Sequence, residues 1–116
     1  MNASTVTPDD LKGVALDMAV ALLVYEPYRV KLERGTVRVL HDPSDDGSTF
    51  AHWRVFSPSS RWSQGGPLIE RNKIVIVTTE TGELWDARKA GTDSDNYFRG
   101  TTPLVAAMRC VVGSKS

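Results

Sequence analysis

The sequence predicts an α+β fold: a mostly antiparallel sheet of about four strands flanked by an N-terminal and a C-terminal helix. Two apolar segments near the ends, each preceded by helix-start chemistry, and a set of short β-rich runs divided by turn residues point to it. The chain has 116 residues, 41% apolar and 24% charged, a size that supports one core without metal or disulfide staples. A single domain over residues 1–116 is expected, with 1–7 and 114–116 as flexible tails.

Thr7-Pro8-Asp9-Asp10 reads as a helix start, with a hydroxyl cap, proline at the first helical position and two carboxylates at the positive end of the helix dipole. Leu11, Val14, Ala15, Met18, Ala19 and Leu22 recur as a core-facing stripe. The opposite face is nearly as apolar, so this helix is expected to be covered on more than one side before the Pro27 region ends it. Arg29 to Glu33 and Thr36 to Leu40 alternate around Arg34-Gly35 as a hairpin. The run from His41 to Ser48 is turn chemistry, and His52 to Phe56 is a short strand.

Ser57-Pro58 breaks that strand, and the segment through Trp62-Ser63-Gln64-Gly65-Gly66-Pro67 reads as a long irregular loop. Lys73 to Glu80 holds Ile74-Val75-Ile76-Val77, apolar on both parities, as in a central strand buried on both faces. Thr81-Gly82 turns into a strand at Glu83 to Ala87, and Arg88 to Asn96 reads as a polar loop. Thr101-Thr102-Pro103 opens a closing helix with Leu104, Ala107, Met108 and Val111 on one face, terminated by Gly113.

Composition excludes several function classes. Fourteen Lys plus Arg balance fourteen Asp plus Glu, so no net field gathers nucleic acid or an anionic membrane. The single cysteine, Cys110, permits no internal disulfide and suits a reducing compartment. The longest apolar run, Met18 to Tyr25, is far short of the roughly twenty residues of a membrane span, and Met1 to Thr7 lacks the features of a signal peptide. A cytoplasmic location is expected. Hydrolase, zinc-protease and thiol-redox motifs are absent, and His41 and His52 are far in sequence from Cys110, so neither a metal nor another cofactor is expected. Asp42, Asp45 and Asp46 beside Gly47 lack the spacing of a calcium loop and read as turn formers. Two nearly all-apolar helices suggest a homodimer.

Three segments together resemble the phage NinX-like family of small proteins of unassigned function: Leu11 to Ala21, Phe56 to Glu70, and Gly100 to Cys110. Gln64 to Glu70 and the third segment are the most specific of them. The chain departs from the family pattern at Met18, where an aromatic is expected, and at Arg61, where an aspartate is expected. The resemblance implies a phage or prophage protein acting in a bacterial cytoplasm and names no activity.

The best candidate for chemistry is the Trp62 to Pro67 segment. Trp62 offers a stacking face, Gln64 a donor and an acceptor, and Gly65-Gly66 allow backbone to approach a ligand. It is no phosphate loop, since Pro67 removes an N–H and no Lys-Ser or Lys-Thr follows. The plainer use is a loop pinned by its tryptophan. Asp17 and Arg109 are lone charges in apolar helices, either two separate solvated positions or one buried pair. Arg29, Lys31 and Arg38, with Arg34 at the turn, form a basic patch that Glu33 interrupts; a solvated face is the expectation. Cys110 is expected to pack as a small apolar residue. The leading reading is a non-enzymatic interaction module that binds a host or phage protein through Trp62 to Glu70. The alternative is a small-ligand or nucleotide-processing enzyme in which Gln64, Glu70 and Arg109 converge.

Overall fold

The structure, a computed structural model, describes residues 10–41, 50–91 and 97–114. Element order is α1 (Gly13–Val24), a 3₁₀ turn (Pro27–Arg29), β1 (Val30–Glu33), β2 (Thr36–His41), β3 (His52–Val55), α2 (Trp62–Asn72), β4 (Ile74–Thr78), β5 (Trp85–Lys89), β6 (Phe98–Gly100) and α3 (Pro103–Ser114). The class is α+β, as the sequence predicts, but the strands form two three-stranded antiparallel sheets, β1-β2-β3 and β4-β5-β6, rather than one sheet of four. α1 lies on the first sheet and α3 on the second, and α3 also touches α1 and α2, so the helices join the two halves.

The first hairpin forms as expected. Arg34 and Gly35 both adopt positive φ, the requirement of the tight turn whose twist matches the flanking strands, and Val30 pairs with Val39 and Leu32 with Val37. α3 also starts where predicted. Thr102 caps it, its hydroxyl accepting the Val105 N–H at 3.1 Å, and Leu104, Ala107, Met108 and Val111 are buried together with Ala106 and Cys110. The helix runs through Gly113 to Ser114, so Ser114 is helical rather than tail. Gly113 is a contact point: a Cβ there would lie 2.2 Å from the Phe98 ring.

Four expectations change. The segment read as an irregular loop is the helix α2, with Gly65, Gly66 and Pro67 inside it. Local propensity opposes this by roughly 1 kcal/mol per glycine and about 3 for an interior proline, so tertiary contacts must supply the difference. A Cβ on Gly65 would lie 2.5 Å from the Pro58 carbonyl oxygen and 2.6 Å from Leu104 Cδ2, so only glycine lets α2 approach the preceding turn and α3 this closely. Second, among the described residues β4 is an edge strand, not the middle of a sheet: β5 is central, and Val77 is 43% exposed. Four consecutive apolar residues resemble a doubly buried strand whether or not a second neighbour exists. Third, β5 extends to Lys89, into the segment read as loop, and the second sheet gains β6 at Phe98–Gly100, where the sequence assigns no element. Its ladder pairs Trp85 with Gly100 and Ala87 with Phe98.

Fourth, α1 begins at Gly13 behind Lys12, with no side-chain cap; Thr7, Pro8 and Asp9 lie outside the described residues, as do Asp42, Asp45, Asp46 and Gly47. Its buried line is Leu16, Asp17, Val20 and Ala21, while Val14 and Leu22 are exposed. Sequence periodicity cannot choose the inward face of a helix that is apolar all round. Among the described residues one face of α1 remains open, with Leu23 exposed as well.

The neighbouring glycines of α2 give a paired prediction. Gly65→Ala should lower stability by about 1–3 kcal/mol through overpacking. Gly66→Ala, where a Cβ meets nothing within 4 Å, should raise it by up to roughly 1 kcal/mol through helix propensity. Chemical denaturation of both variants checks the assignment of this segment as helix.

Candidate functional site

α2 is held in place by its own polar residue. The Gln64 Oε1 accepts the Ser57 N–H at 2.6 Å and its Nε2 donates to the Val55 carbonyl at 2.8 Å. Only a side chain that donates and accepts at once can close both ends of the β3-to-α2 connection. The connection is anchored a second time from α1, where the Asp17 Oδ1 accepts the Ser59 N–H at 2.9 Å. Asp17 is 6% exposed, and burial pushes its carboxyl above the ordinary 3.8, with the Ser59 hydrogen bonds pulling the other way.

Neither reading of Asp17 and Arg109 holds. Arg109 donates through Nε to the Leu11 carbonyl at 2.8 Å and through Nη1 to the Arg99 carbonyl at 2.6 Å, so it ties the approach to α1 and the end of β6 to α3. Asp17 is buried on backbone, and Arg109 is committed to backbone. Burial raises the Cys110 thiol to about 11 despite the counteracting charge of Lys89, so it is packed, not nucleophilic.

With α2 so placed, a cleft of about 400 Å³ opens between α2, the end of α1 and the inner side of the first sheet. This is the size of small-ligand sites. Three guanidiniums line it, Arg29, Arg54 and Arg71, and its described lining contains no carboxylate. Arg29 donates twice to the Leu40 carbonyl, at 3.2 Å from Nε and 2.7 Å from Nη2, and lies 5.5 Å from the Tyr25 ring. Arg54 Nη1 lies 3.1 Å from His41 Nδ1; since arginine only donates, Nδ1 accepts and the ring proton sits on Nε2. Arg71 projects from the exposed last turn of α2. The floor is apolar, formed by Val39, Leu68 and Phe56, whose ring meets Tyr25 edge-on at 5.5 Å.

The sequence-predicted residues divide accordingly. Gln64 lines the cleft, but both its polar ends are used internally. Gly65 is buried as a packing point, and Gly66 is partly exposed. Trp62 is 57% exposed at the start of α2, so it does not anchor the core. Glu70 is exposed, and neither it nor Arg109 lines the cleft with Gln64. The hairpin patch is also divided: Lys31 and Arg38 lie opposite each other and reach Glu33 at 3.7 and 3.4 Å, while Arg29 turns into the cleft. Arg54 and Arg71 were not legible as site residues, because nothing in the spacing of positions 29, 54 and 71 announces that β3 and α2 bring them together.

Residues 8–115 match the protein family described as Bacteriophage P22, NinX. The chain belongs to this NinX family. No curated protein matches the chain. The three segments that carry the family resemblance meet in space: Asp17 of the first bonds Ser59 of the second, Gly65 of the second abuts Leu104 of the third, and Arg109 of the third bonds Leu11 of the first. The segments that carry the resemblance are thus in mutual contact in the scaffold. No helix among the described residues is long and apolar enough to cross a membrane.

Two substitutions test these anchors. Gln64→Glu replaces the donor facing the Val55 carbonyl by an acceptor and should cost about 1–3 kcal/mol, measurable by urea denaturation. Asp17→Asn keeps an acceptor for the Ser59 N–H and removes the cost of a buried charge. Because the folded carboxyl lies above 3.8, the folded state binds the extra proton, and the wild type loses stability as pH rises from 3.8 through its folded value. The variant lacks that loss. Denaturation at several pH values should therefore show Asp17→Asn gaining on the wild type as pH rises through this window, with a constant difference above it.

Proposed function

We propose that this phage-family protein is an accessory binding module that acts on another protein rather than on a substrate. α2 and the inner side of the first sheet receive an acidic side chain of the partner, its neighbouring apolar group resting on the cleft floor. The observation that carries this reading is the convergence of Arg29, Arg54 and Arg71 on one half-apolar cleft without a carboxylate in its described lining, in a chain of zero net charge. A guanidinium fork suits a carboxylate or phosphate bidentately, and exposed Trp62, one residue before Ser63 on the same helix, supplies an aromatic contact of the kind enriched in interfaces. The binding reading is favoured over catalysis because the described lining holds no carboxylate, and His41 Nδ1, a candidate base, already accepts from Arg54.

Titration of the isotope-labelled protein with a short Glu-Phe-Glu peptide, followed by backbone amide shifts, tests it. Shifts confined to the amides around the cleft are expected, those of Arg29, Val39–His41, Arg54 and the residues of Gln64–Arg71 other than Pro67, weakening with salt. Arg71→Glu should weaken binding about tenfold, near 1.4 kcal/mol, and leave thermal unfolding unchanged. Shifts with pyrophosphate but not with the peptide would favour the small-ligand reading instead. Silence with both would overturn the site.

A further inference from the structure

We propose that a second copy of this chain pairs antiparallel along the free edge of β4, joining the two second sheets into one six-stranded sheet. This does not depend on the cleft. The Ala90 N–H donates to the Lys73 carbonyl and the Thr79 N–H to the Leu84 carbonyl, and the β4–β5 register is regular between these points. Odd-numbered β4 residues therefore turn their backbone groups toward β5. Ile74, Ile76 and Thr78 turn theirs toward the opposite edge, which no strand occupies among the described residues.

Two-fold symmetry then selects one register. Keeping the core faces of both copies on the same side requires like parity at opposed positions. Placing Ile76 opposite Ile76 of the second copy sets Ile74 opposite Thr78, so all three free-edge residues on each side fall in hydrogen-bonded pairs. A shift by two residues loses one of those pairs. The same register sets Val75 opposite Val77 on the outer face, so the half-exposed valines cover each other.

Charge favours the same arrangement. β4 is preceded by Arg71 and Lys73 and followed by Glu80 and Glu83. Antiparallel pairing brings Lys73 of one copy alongside Thr79 and Glu80 of the other at both ends. Parallel pairing would place like charges together. Five residues a side fall short of a standard interface, which buries roughly 1,600 Å², so the dimer forms reversibly at micromolar or higher concentration.

Sedimentation velocity of the full chain over a dilution series tests this. The wild type should show a monomer–dimer equilibrium. Thr78→Pro removes an outward N–H without touching the β5 ladder and should raise the dissociation constant about tenfold or more with unchanged far-UV circular dichroism. Val77→Lys, on the outer face, serves if the proline variant unfolds. Lys73→Glu and Glu80→Lys should each weaken the dimer several-fold, and the double charge swap should restore it. A chain monomeric throughout the series, or a dimer indifferent to these substitutions, would overturn the proposal.

Discussion

The bond from the Ser59 N–H to the buried Asp17 carboxylate is the contact on which the arrangement of this molecule turns. It joins residues 42 positions apart and sets the rotation of α1, an otherwise featureless apolar cylinder. Burying a carboxylate is costly, and the same burial raises its affinity for a proton. The hydrogen bonds from Ser59 partly offset it, and they hold the 57–60 turn where α2 can begin. With Gln64 bridging Ser57 and Val55 from the other side, the turn is fixed by two polar side chains from two helices. A Leu at position 17 would bury more apolar surface but would leave the Ser59 N–H without this acceptor.

From that turn the rest follows by contact. α2 lies against α3 at Gly65 and Leu104, α3 lies on the second sheet, and Arg109 returns from α3 to the backbone ahead of α1. The three segments that carry the family resemblance close this triangle. Asp17, Gln64 and Arg109 direct their polar atoms to backbone groups, whereas Trp62 and Glu70 of the same segments stay exposed. In the sequence Gln64 looks like a site residue because it offers a donor and an acceptor beside Trp62 and two glycines, and Arg109 because it is the lone charge of an apolar helix. In the structure they act as Asp17 does, on backbone groups that a turn or a strand end leaves without a ladder partner.

The electrostatics have the same local character. A chain without net charge places three arginines around one cleft, Arg29, Arg54 and Arg71, and sets two others beside carboxylates, Arg38 by Glu33 and Arg99 by Asp86. Selective placement, not excess charge, gives the cleft its sign. Since the screening length is about 8 Å in physiological salt, the field of these arginines is confined to the cleft and its rim.

How much of this was legible can be judged element by element. The sequence by itself determined what depends on neighbours along the chain. The Arg34-Gly35 hairpin, the Thr102-Pro103 helix start and the mixed α+β class were readable because turn conformations, caps and alternation act over a few residues; the family was readable only through the resemblance of three segments. Tertiary structure decided the remainder. Gly65-Gly66-Pro67 opposes a helix locally, and only the close fit of Gly65 against Pro58 and Leu104 makes it one. Ile74 to Val77 is apolar enough for a central strand, and only the presence or absence of a second neighbour separates centre from edge. The inward face of α1 and the meeting of Arg29, Arg54 and Arg71 likewise depend on residues far apart in sequence. Propensities act within a few residues, whereas two sheets and three helices are arranged by steric fit and by buried polar groups finding partners across the whole chain.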